Sequence, residues 1–539
     1  MTPRSSSTPG SPKRGFQPSG AAGAQVAAWL KQAIAHHQAG RIDQAEPLYR
    51  QVLQQQPQNP DALSLLGVIA CQRGQLEQGL ALYRQALAIA PEHRQARENL
   101  NLALWKLGKQ LTEEAIYGLN LMVNFSADPA QYHVMLGCIY QDQGAIEKAL
   151  HHFQYALAAK PEDDNILNRI GVALQAQHKS NLAEQFHQRA LAIAPNNVDA
   201  LISMAKALQD QGDLVRGLSY LDRALALQPE HPIARYNRAL LLLVQGDFGV
   251  GFPEYEWRFQ TNEFPPCPFK QPKWDGSPLA GRTLLLHAEQ GLGDTLQFIR
   301  YAAIATQKGG RVILTCHKPL IRLLSTIPGI EEIIPMGQLL PAFDVYVPLL
   351  SLPGVLGTTL ETVPNQVPYL TVPPTTVQLP PAAIAHPRLK VGLVWSGGSL
   401  YKQNQSRSFG LLEFASLLDC PHVAFYSLQK GIPQLEIGAL GWSSRVVDLN
   451  AQLNDMADTA AAIAQLDLVI TVDTSVAHLA GALGKPVWVL LAHVPDWRWM
   501  LDRHDSPWYP TMRLFRQARP GDWAGVIQTV IQELQAIVA

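Results

Sequence analysis

A repeat with a period of 34 residues constrains this chain more than any other feature of its sequence. Glycine recurs at that spacing at Gly40, Gly74 and Gly108, and after a two-residue insertion the position continues at Gly144, His178, Gly212 and Gly246. Small residues and prolines keep the same register, at Ala86, Ala156, Ala190 and Ala224, and at Pro91, Pro161, Pro195 and Pro229. Because several residue types share one period, the first half is predicted to consist of stacked copies of one short unit.

These units resemble tetratricopeptide repeats, in which two antiparallel helices cross at small residues and a proline follows the second helix. One unit cannot bury its apolar face alone, so neighbouring units stack into a curved rod. We predict about seven units over residues 24–260, some of them degenerate, as where Glu113 interrupts the line of small residues. Such an array favours a groove for a polypeptide partner or acceptor, and a spacer or dimerisation surface is the alternative.

Composition and charge exclude several classes of protein. The chain has 539 residues, enough for two or three domains, and it is 47% hydrophobic and 16% charged, which is typical of compact domains. Its formal net charge of -1 predicts neither a nucleic-acid partner nor a membrane surface. The five cysteines stand singly, which favours a reduced, cytoplasmic environment. No apolar run is long enough to span a membrane, and residues 1–23 predict a disordered tail without a secretory signal.

After about residue 260 the period stops and a different pattern begins. A proline-rich stretch, Phe264–Pro278, is followed by short apolar runs that alternate with helical segments, and a second stretch, Pro364–Pro387, divides them into two blocks. The predicted strands are Thr283–Leu286, Arg311–Thr315, Val345–Val347, Lys390–Val394, Val423–Ser427, Leu468–Thr471 and Val487–Leu491. The predicted helices are Thr295–Gln307, Leu320–Thr326, Leu411–Leu418, Thr459–Leu466 and Ser475–Leu483.

This alternation predicts two α/β lobes with parallel sheets, residues 261–380 and 381–539, joined by the second proline-rich stretch. A ligand is then expected in the cleft between them, at the carboxyl ends of the strands. We also expect the chain to fold and bind nucleotide after residues 1–250 are removed. This fragment would fail to fold if the final helices near Tyr255 and Trp257 pack on the first lobe.

Three loops at strand ends carry the polar residues of interest. In the first, Gly291 and Gly293 let the backbone approach a ligand, and Asp294 either takes part in chemistry or caps the helix that follows. In the second, Asp473, Thr474 and Ser475 stand at a helix N-terminus that suits a diphosphate. The alternative for the second loop is that these residues only cap the helix and that His478 is a structural histidine.

The third loop is Trp395-Ser396-Gly397-Gly398, with Lys402, Asn404, Arg407 and Ser408 after it. Cations placed there could neutralise a departing phosphate, although Lys402 alone is better explained as a solvated surface residue. An aromatic group, Trp497, Trp499, Trp508 and Tyr509, either stacks on a base or sugar or packs between the lobes. The sequence lacks His-Glu-x-x-His, Cys-x-x-Cys and Gly-x-Ser-x-Gly, and its acidic run Glu162–Asp164 falls between repeats, which favours a metal-independent mechanism.

From about Leu284 onward the chain resembles bacterial heptosyltransferase-like glycosyltransferases, particularly those fused to tetratricopeptide repeats. The motifs that carry the resemblance are Tyr255-Glu256-Trp257-Arg258, Glu289 to Asp294, Asp473 to Pro486, and Pro495-Asp496-Trp497-Arg498-Trp499. The order of repeats and transferase is also similar to that of protein O-linked N-acetylglucosamine transferase. The resemblance implies an all-α repeat solenoid followed by an α/β two-lobed GT-B fold of two Rossmann-like lobes. It further implies an inverting transfer, a first lobe on the acceptor side and a donor diphosphate held by the second lobe.

Carried over by position, Asp294 matches the general base of that family. Arg407 falls where the family has a lysine near the donor phosphates, a change that keeps the charge and alters its shape. Gln429 stands near the place of the family's sugar-binding glutamate, so ADP-heptose is not the implied donor. The catalytic candidates are thus Asp294 and Arg407. The donor-binding candidates are Gly291, Gly293, Ser396, Gly397, Asp473, Thr474, Ser475 and His478.

No cofactor or metal is expected beside the nucleotide-sugar donor. Two other functions stay open at this point. The second half could have lost activity, which would leave a scaffold for protein partners. It could also be a nucleotide-sugar epimerase of the same architecture.

Overall fold

The structure is a computed structural model that describes residues 21–539 except 92, 107–112, 127, 385 and 399–403. Most of the predicted tail, residues 1–23, therefore lies outside the described residues, as does Lys402. The chain forms two compact units, Met1–His178 and Lys179–Ala539. Among the described helices, none has the length and apolar character needed to cross a membrane.

The first unit is helical, as the 34-residue period predicts. The glycines that define the period end helices in the left-handed conformation, with φ of 75° at Gly40, 78° at Gly74 and 74° at Gly144. Other glycines stand where helices cross, because a Cβ on Gly67 would meet Cε1 of Tyr83 at 2.5 Å. Gly137 and Phe153 stand in the same relation two units later. Its helices are α1 (Ala21–Gln38), α2 (Ile42–Gln55), α3 (Pro60–Gln72), α4 (Leu76–Ile89), α5 (Arg94–Lys106), α6 (Glu113–Phe125), α7 (Ala130–Asp142), α8 (Ile146–Ala159) and α9 (Asp164–Ala176).

The second unit opens with more helices of the same kind. Their first turns are capped by side chains that accept from backbone N–H groups, as at Asn197, Asp213 and Asp247. They are α10 (Ser180–Ile193), α11 (Val198–Asp210), α12 (Leu214–Leu227), α13 (Pro232–Gln245) and α14 (Phe248–Tyr255). A 3-10 turn, Glu256–Gln260, follows α14 and ends this helical part.

The first lobe is built on a four-stranded parallel sheet of order β3-β2-β1-β4. Its strands are β1 (Thr283–His287), β2 (Arg311–Cys316), β3 (Glu332–Pro335) and β4 (Val345–Pro348). Its helices are α15 (Leu292–Phe298), α16 (Ala302–Thr306), α17 (Ile321–Leu324) and α18 (Leu352–Val355). The prediction of one helix over Thr295–Gln307 was wrong, because a 3-10 turn at Ile299–Tyr301 separates α15 from α16.

The second lobe has a six-stranded parallel sheet of order β10-β9-β8-β5-β6-β7. Its strands are β5 (Leu389–Val394), β6 (Val423–Ser427), β7 (Val446–Asp448), β8 (Leu468–Val472), β9 (Val487–Leu491) and β10 (Met512–Arg516). Its helices are α19 (Asn404–Arg407), α20 (Glu436–Ala439), α21 (Met456–Ala464), α22 (Ser475–Ala482) and α23 (Trp523–Val538). The predicted helix Leu411–Leu418 is instead two 3-10 turns, Leu411–Phe414 and Leu417–Asp419.

The second proline-rich stretch ties the two lobes together. The backbone N–H of Tyr369 donates to the carbonyl of Ala482 in the second lobe at 3.0 Å. Its hydroxyl donates to the carbonyl of Leu296 in the first lobe at 2.8 Å and accepts from Arg300. Arg300 in turn donates to the carbonyl of Trp508, at 2.6 Å. The linker is therefore bonded to both lobes and fixes the position of one lobe relative to the other.

Helices α13 and α14 pack against both lobes. Gly354 of α18 lies close enough to α14 that a Cβ there would meet Cβ of Phe252 at 3.3 Å. On the other side, the rings of Phe252 and Trp497 lie 5.7 Å apart, and those of Phe248 and Trp508 likewise 5.7 Å apart. The expectation that the chain folds after removal of residues 1–250 conflicts with this packing, since the cut would run through α14 and expose these rings.

Candidate functional site

The loop between β8 and α22 combines a helix N-terminus with a buried acid. Thr474 is the N-cap of α22, and its hydroxyl accepts from the N–H of Val476 at 3.3 Å and lies 3.1 Å from the hydroxyl of Thr471. The capping role foreseen as the alternative is therefore present for Thr474. A cap of this kind satisfies one N–H group and leaves the positive end of the helix dipole in place, so it is compatible with an anion site.

Asp473, directly before that cap, is buried and faces the cation of the third loop. Its Oδ2 lies 3.7 Å from Nη1 of Arg407. Burial raises the pKa of Asp473 to about 6, although the charge of Arg407 opposes the shift. The structure thus brings two predicted site residues together, one from each loop of the second lobe. Lys402 lies outside the described residues, as does the side chain of Asn404.

Asp294 lies in the first turn of α15 and makes contacts of two kinds. Its Oδ2 accepts from the N–H of Gly291 at 2.7 Å, which is a capping contact. Its Oδ1 accepts from Nη2 of Arg498, a residue of the second lobe, at 2.5 Å. Asp294 is therefore a cap, as the structural alternative had it, and at the same time one end of an ion pair between the lobes.

Arg498 is a residue that the sequence did not single out as functional, although its motif carried the resemblance. Besides Asp294, its guanidinium donates to Oε1 of Gln297 and to Oδ1 of Asp496, each at 2.8 Å. Burial opposes its charge, but the carboxylates of Asp496 and Asp294 outweigh this and raise the pKa of Arg498. The signal that could have found it is a cation set between two aromatic residues, Trp497-Arg498-Trp499.

Gly293 and His478 lie directly against each other. A Cβ on Gly293 would meet Cδ2 of His478 at 2.9 Å, so the space beside this glycine is filled by an imidazole. His478 itself lies 3.0 Å from the hydroxyl of Tyr509 through Nδ1 and stacks on Trp499 with ring centroids 5.2 Å apart. Burial, followed by the charges of nearby arginines, holds the pKa of His478 well below its usual value, so the ring is neutral. A role of either residue in donor binding stays a prediction.

The loop after β5 is held in place by Gln429. Its Oε1 accepts from the N–H groups of Trp395 and Ser396, at 3.1 and 3.0 Å, and its Nε2 donates to the carbonyl of Ser396. The N–H of Gly397 donates to the hydroxyl of Ser408 at 3.0 Å. Both ends of the Gln429 amide therefore bond the backbone of this loop, and they hold the loop in its conformation.

The aromatic group predicted near this region is packed rather than open. Trp499, Trp508 and Tyr509 are completely buried, and Trp497 is 5% exposed. Trp497 stacks on Phe298 of the first lobe with centroids 6.3 Å apart. The structure thus supports packing between the lobes, the second of the two interpretations, for these side chains.

The motif Tyr255-Glu256-Trp257-Arg258 supports the loop that carries Asp294. Arg258 is fully buried and donates to Glu289 at 2.7 Å and to the hydroxyl of Ser351 at 2.9 Å. The hydroxyl of Tyr255 accepts from the side chain of Gln290 at 3.1 Å. Gln290 has a φ of 60°, a left-handed conformation that costs energy outside glycine and is typical of constrained functional loops.

Within the residues that the structure describes, no group of three or more His, Cys, Asp and Glu side chains could hold a metal ion. The groups predicted to bind an anionic ligand are the start of α22 and Arg407, with Ser396 and Gly397 on the neighbouring loop. Since β5 and β8 are adjacent in the sheet, these loops emerge side by side at its carboxyl edge.

Comparison with known proteins agrees with this division of the chain. Residues 36–109 match one tetratricopeptide repeat family, and residues 134–198 and 202–255 match another. Residues 441–509 match glycosyltransferase family 9 (heptosyltransferase). The chain is thus similar to tetratricopeptide repeats in its first half and to glycosyltransferase family 9 near its end. That region contains the β8–α22 loop and Arg498, and it supports a glycosyltransferase.

Protein FlbA of Caulobacter vibrioides is 27% identical to the chain over 334 residues, which cover 54% of the chain and 53% of FlbA. The chain thus spans about half the length of the curated relative it matches. Among solved structures, a tetratricopeptide repeat protein from Parabacteroides merdae is similar with a TM-score of 0.39 and 15% identity, over 44% of this chain and 95% of that one. PilF of Pseudomonas aeruginosa is similar with a TM-score of 0.32 and 19% identity, over 37% and 90% of the two chains.

Proposed function

We propose that the chain is an inverting, metal-independent glycosyltransferase that moves a sugar from a nucleotide-sugar donor to a hydroxyl acceptor. The observation that supports this most is the relation between the two lobes. Asp294, in the first turn of α15, and the β8–α22 loop of the second lobe lie side by side, because a Cβ on the neighbouring Gly293 would lie 3.5 Å from the Cα of Ser475 and 2.9 Å from Cδ2 of His478. A base on one side and an anion site on the other are what a direct displacement at a sugar carbon requires.

In this proposal the donor diphosphate lies at the beginning of α22. The side chains there are small and hydroxylated, the helix dipole favours an anion, and Arg407 supplies a full positive charge nearby. Lys485, the next cation along the chain, is engaged elsewhere, because its ammonium donates to the carbonyls of Ala464 and Leu466. Arg407 is therefore the cation best placed to stabilise the leaving group.

The reaction then proceeds in one displacement. The acceptor oxygen attacks the anomeric carbon and gives its proton to Asp294, while the bond from that carbon to the diphosphate oxygen breaks. The electron pair of the broken bond stays on the nucleotide diphosphate, whose charge Arg407 and the N–H groups of α22 stabilise. Each carboxylate oxygen of Asp294 accepts one hydrogen bond in the structure, from Arg498 or from Gly291, so each keeps a lone pair for the acceptor proton.

We further propose that the acceptor is a polypeptide held by the repeats, and that the protein works in the cytoplasm. An extended array of helical pairs offers a long groove, which suits a chain better than a small molecule. A cytoplasmic location is in keeping with the five free cysteines, which a reducing compartment preserves.

Incubation of the full chain with ADP-, GDP-, UDP- and dTDP-sugars tests the proposal, with free nucleotide diphosphate and intact donor followed by mass spectrometry. A transferase releases the diphosphate faster when a hydroxyl acceptor is added. An epimerase converts the donor to an isomer without releasing the diphosphate, and a scaffold gives no turnover. Either of the last two results would refute the proposal.

A further inference from the structure

Arg498 joins three side chains that come from both lobes. Its Nη2 donates to Oδ1 of Asp294 and its Nε to Oε1 of Gln297, both on α15, while its Nη1 donates to Oδ1 of Asp496. The planar guanidinium can address three acceptors in fixed directions at once, which the single ammonium of a lysine cannot do. The orientation of the Asp294 carboxylate is therefore set by a residue of the opposite lobe.

We propose that Arg498 is a positioning residue, which holds Asp294 in the geometry that proton transfer needs. Its guanidinium lies in a socket formed by the side chains of Phe298 and Trp497, and α14, the last helix of the repeats, packs behind Trp497. The inference rests on the proposed role of Asp294 as the base. It adds that this base is correctly placed only while Arg498 of the second lobe stays bonded to Asp294 of the first.

The walls of the socket are aromatic. The guanidinium carbon of Arg498 lies 4.5 Å from the ring centroid of Trp497 and 5.5 Å from that of Phe298, a cation–π arrangement on both sides. Trp497 is in turn backed by α14, whose Phe252 and Tyr255 lie 5.7 and 6.2 Å from it. The side chain of Arg498 consequently has little freedom to leave Asp294.

The charges in the socket also hold the arrangement together. Arg498 is 7% exposed and stands between two carboxylates, Asp294 and Asp496. A buried charge is tolerated when it is paired and hydrogen-bonded, and removing one partner leaves the others uncompensated. Without Arg498, the two carboxylates would repel each other, and Asp294 would turn toward water and away from the acceptor.

The test uses the full chain with the donor that releases diphosphate, and compares Arg498→Ala, Arg498→Lys and Asp294→Asn. Arg498→Ala is expected to lower kcat about a hundredfold, the scale of a base misplaced by about 1 Å, while the KM for the donor changes little. Arg498→Lys is expected to fall between Arg498→Ala and wild type. Added guanidinium chloride at millimolar concentration should restore part of the kcat of Arg498→Ala and none of that of Asp294→Asn.

Arg513→Ala is the matched control, because Arg513 pairs with Glu533 on the surface of the same lobe, and it should keep wild-type kcat. Wild-type kcat in Arg498→Ala, or a loss that neither lysine nor guanidinium reverses, would overturn the inference. If Arg498→Ala does not fold, Arg498→Lys decides: a lower kcat at unchanged KM supports the inference and wild-type kcat refutes it. The proposed function fails by a different result, namely no release of diphosphate by the wild-type chain.

Discussion

Gly293 of α15 and His478 of α22 touch across the two lobes, with no room between them for even a methyl group. A Cβ on residue 293 would lie 2.9 Å from Cδ2 of His478 and 3.5 Å from the Cα of Ser475. The imidazole cannot easily retreat, because it is held by Tyr509 and stacked on Trp499. The closeness of these helices therefore depends on the missing side chain of residue 293.

Gly293→Ala is expected to destabilise the second unit by about 1–3 kcal/mol, the usual cost of adding a carbon to a packed contact. Gly438→Ala is the matched control, since a Cβ at this helical position meets nothing within 4 Å and alanine is the better helix former. Urea unfolding of the two variants measures the difference. Equal stability of Gly293→Ala and wild type would show that the two lobes can move apart at this contact at no cost in free energy.

Asp473→Asn should raise stability at neutral pH and raise it less, or not at all, in acid. Burial raises the pKa of Asp473 from 3.8 to about 6. Between these two pH values the folded chain therefore binds a proton that the unfolded chain has released. Stability conferred by that proton is lost as the pH rises toward 6, and above pH 6 the buried charge costs about 3 kcal/mol. Melting temperatures of Asp473→Asn and wild type should differ most above pH 6 and converge toward pH 3.8.

Asp505→Asn is a control of opposite sign, because its hydrogen bond to Arg503 lowers the pKa of Asp505. Its effect at neutral pH should be a small loss. A gain in Asp473→Asn that does not depend on pH would contradict the assignment. A gain in stability that comes with weaker nucleotide binding would instead be typical of a strained binding residue.

Asp294→Asn should lower turnover at least about a hundredfold, the scale for losing a general base, while donor affinity changes little. The amide can still accept from the N–H of Gly291, so the cap on α15 is kept when the basic oxygen is lost. Steady-state rates and calorimetric titration with the nucleotide diphosphate measure the two effects. A variant that unfolds, but has full specific activity in its folded fraction, would make Asp294 a cap and no more.

Replacing Thr474 and Ser475 together with valine should weaken nucleotide binding about tenfold or more, because bulky apolar groups then cover the N-terminus of α22. The loss of a cap costs about 1 kcal/mol by itself, so a second capping residue serves as control. Asp522 caps α23 by accepting from the N–H of Gly525 at 3.0 Å. Asp522→Ala should lose similar stability and keep its affinity for nucleotide. Diphosphate bound at the loop of Gly291 and Gly293 in a crystal would reverse the assignment of the lobes.

Two truncations should behave differently. A chain of residues 179–539 should fold and bind nucleotide, since these residues form one compact unit. A chain of residues 251–539 should melt at a lower temperature or aggregate, because it lacks Phe248 and α13 and leaves Trp508 and Trp497 uncovered. Circular dichroism melts of the two fragments compare them. Equal melting temperatures would mean that the packing of α13 and α14 contributes nothing to the lobes.

How far the sequence predicts this fold depends on where an element sits in its sheet. The central strands β1, β5 and β8 are runs of buried aliphatic residues, and they were predicted within one residue at each end. Three of the four edge strands, β3, β7 and β10, were missed, and the fourth, β4, was predicted. Edge strands are short and carry charged residues, such as Glu332 in β3 and Arg513 in β10, so their pattern resembles a loop.

The site was predictable only where its residues are close in sequence. The β8–α22 loop could be recognised because strand, turn and helix N-terminus follow one another within a few residues. The bond between Asp294 and Arg498 spans 204 residues, and no local pattern reports it. The same holds for Gln429, whose amide holds a loop 33 residues before it.

The packing of α13 and α14 on both lobes divides the solenoid into parts with different freedom to evolve. The units of residues 24–178 repeat in steps of 34 residues, so a change in their number leaves the surfaces of α13 and α14 unchanged. The last unit has no such freedom, since Phe252 and Tyr255 belong to the wall behind Arg498. We therefore expect the final repeat to vary together with the two lobes, and the earlier repeats to vary independently of them.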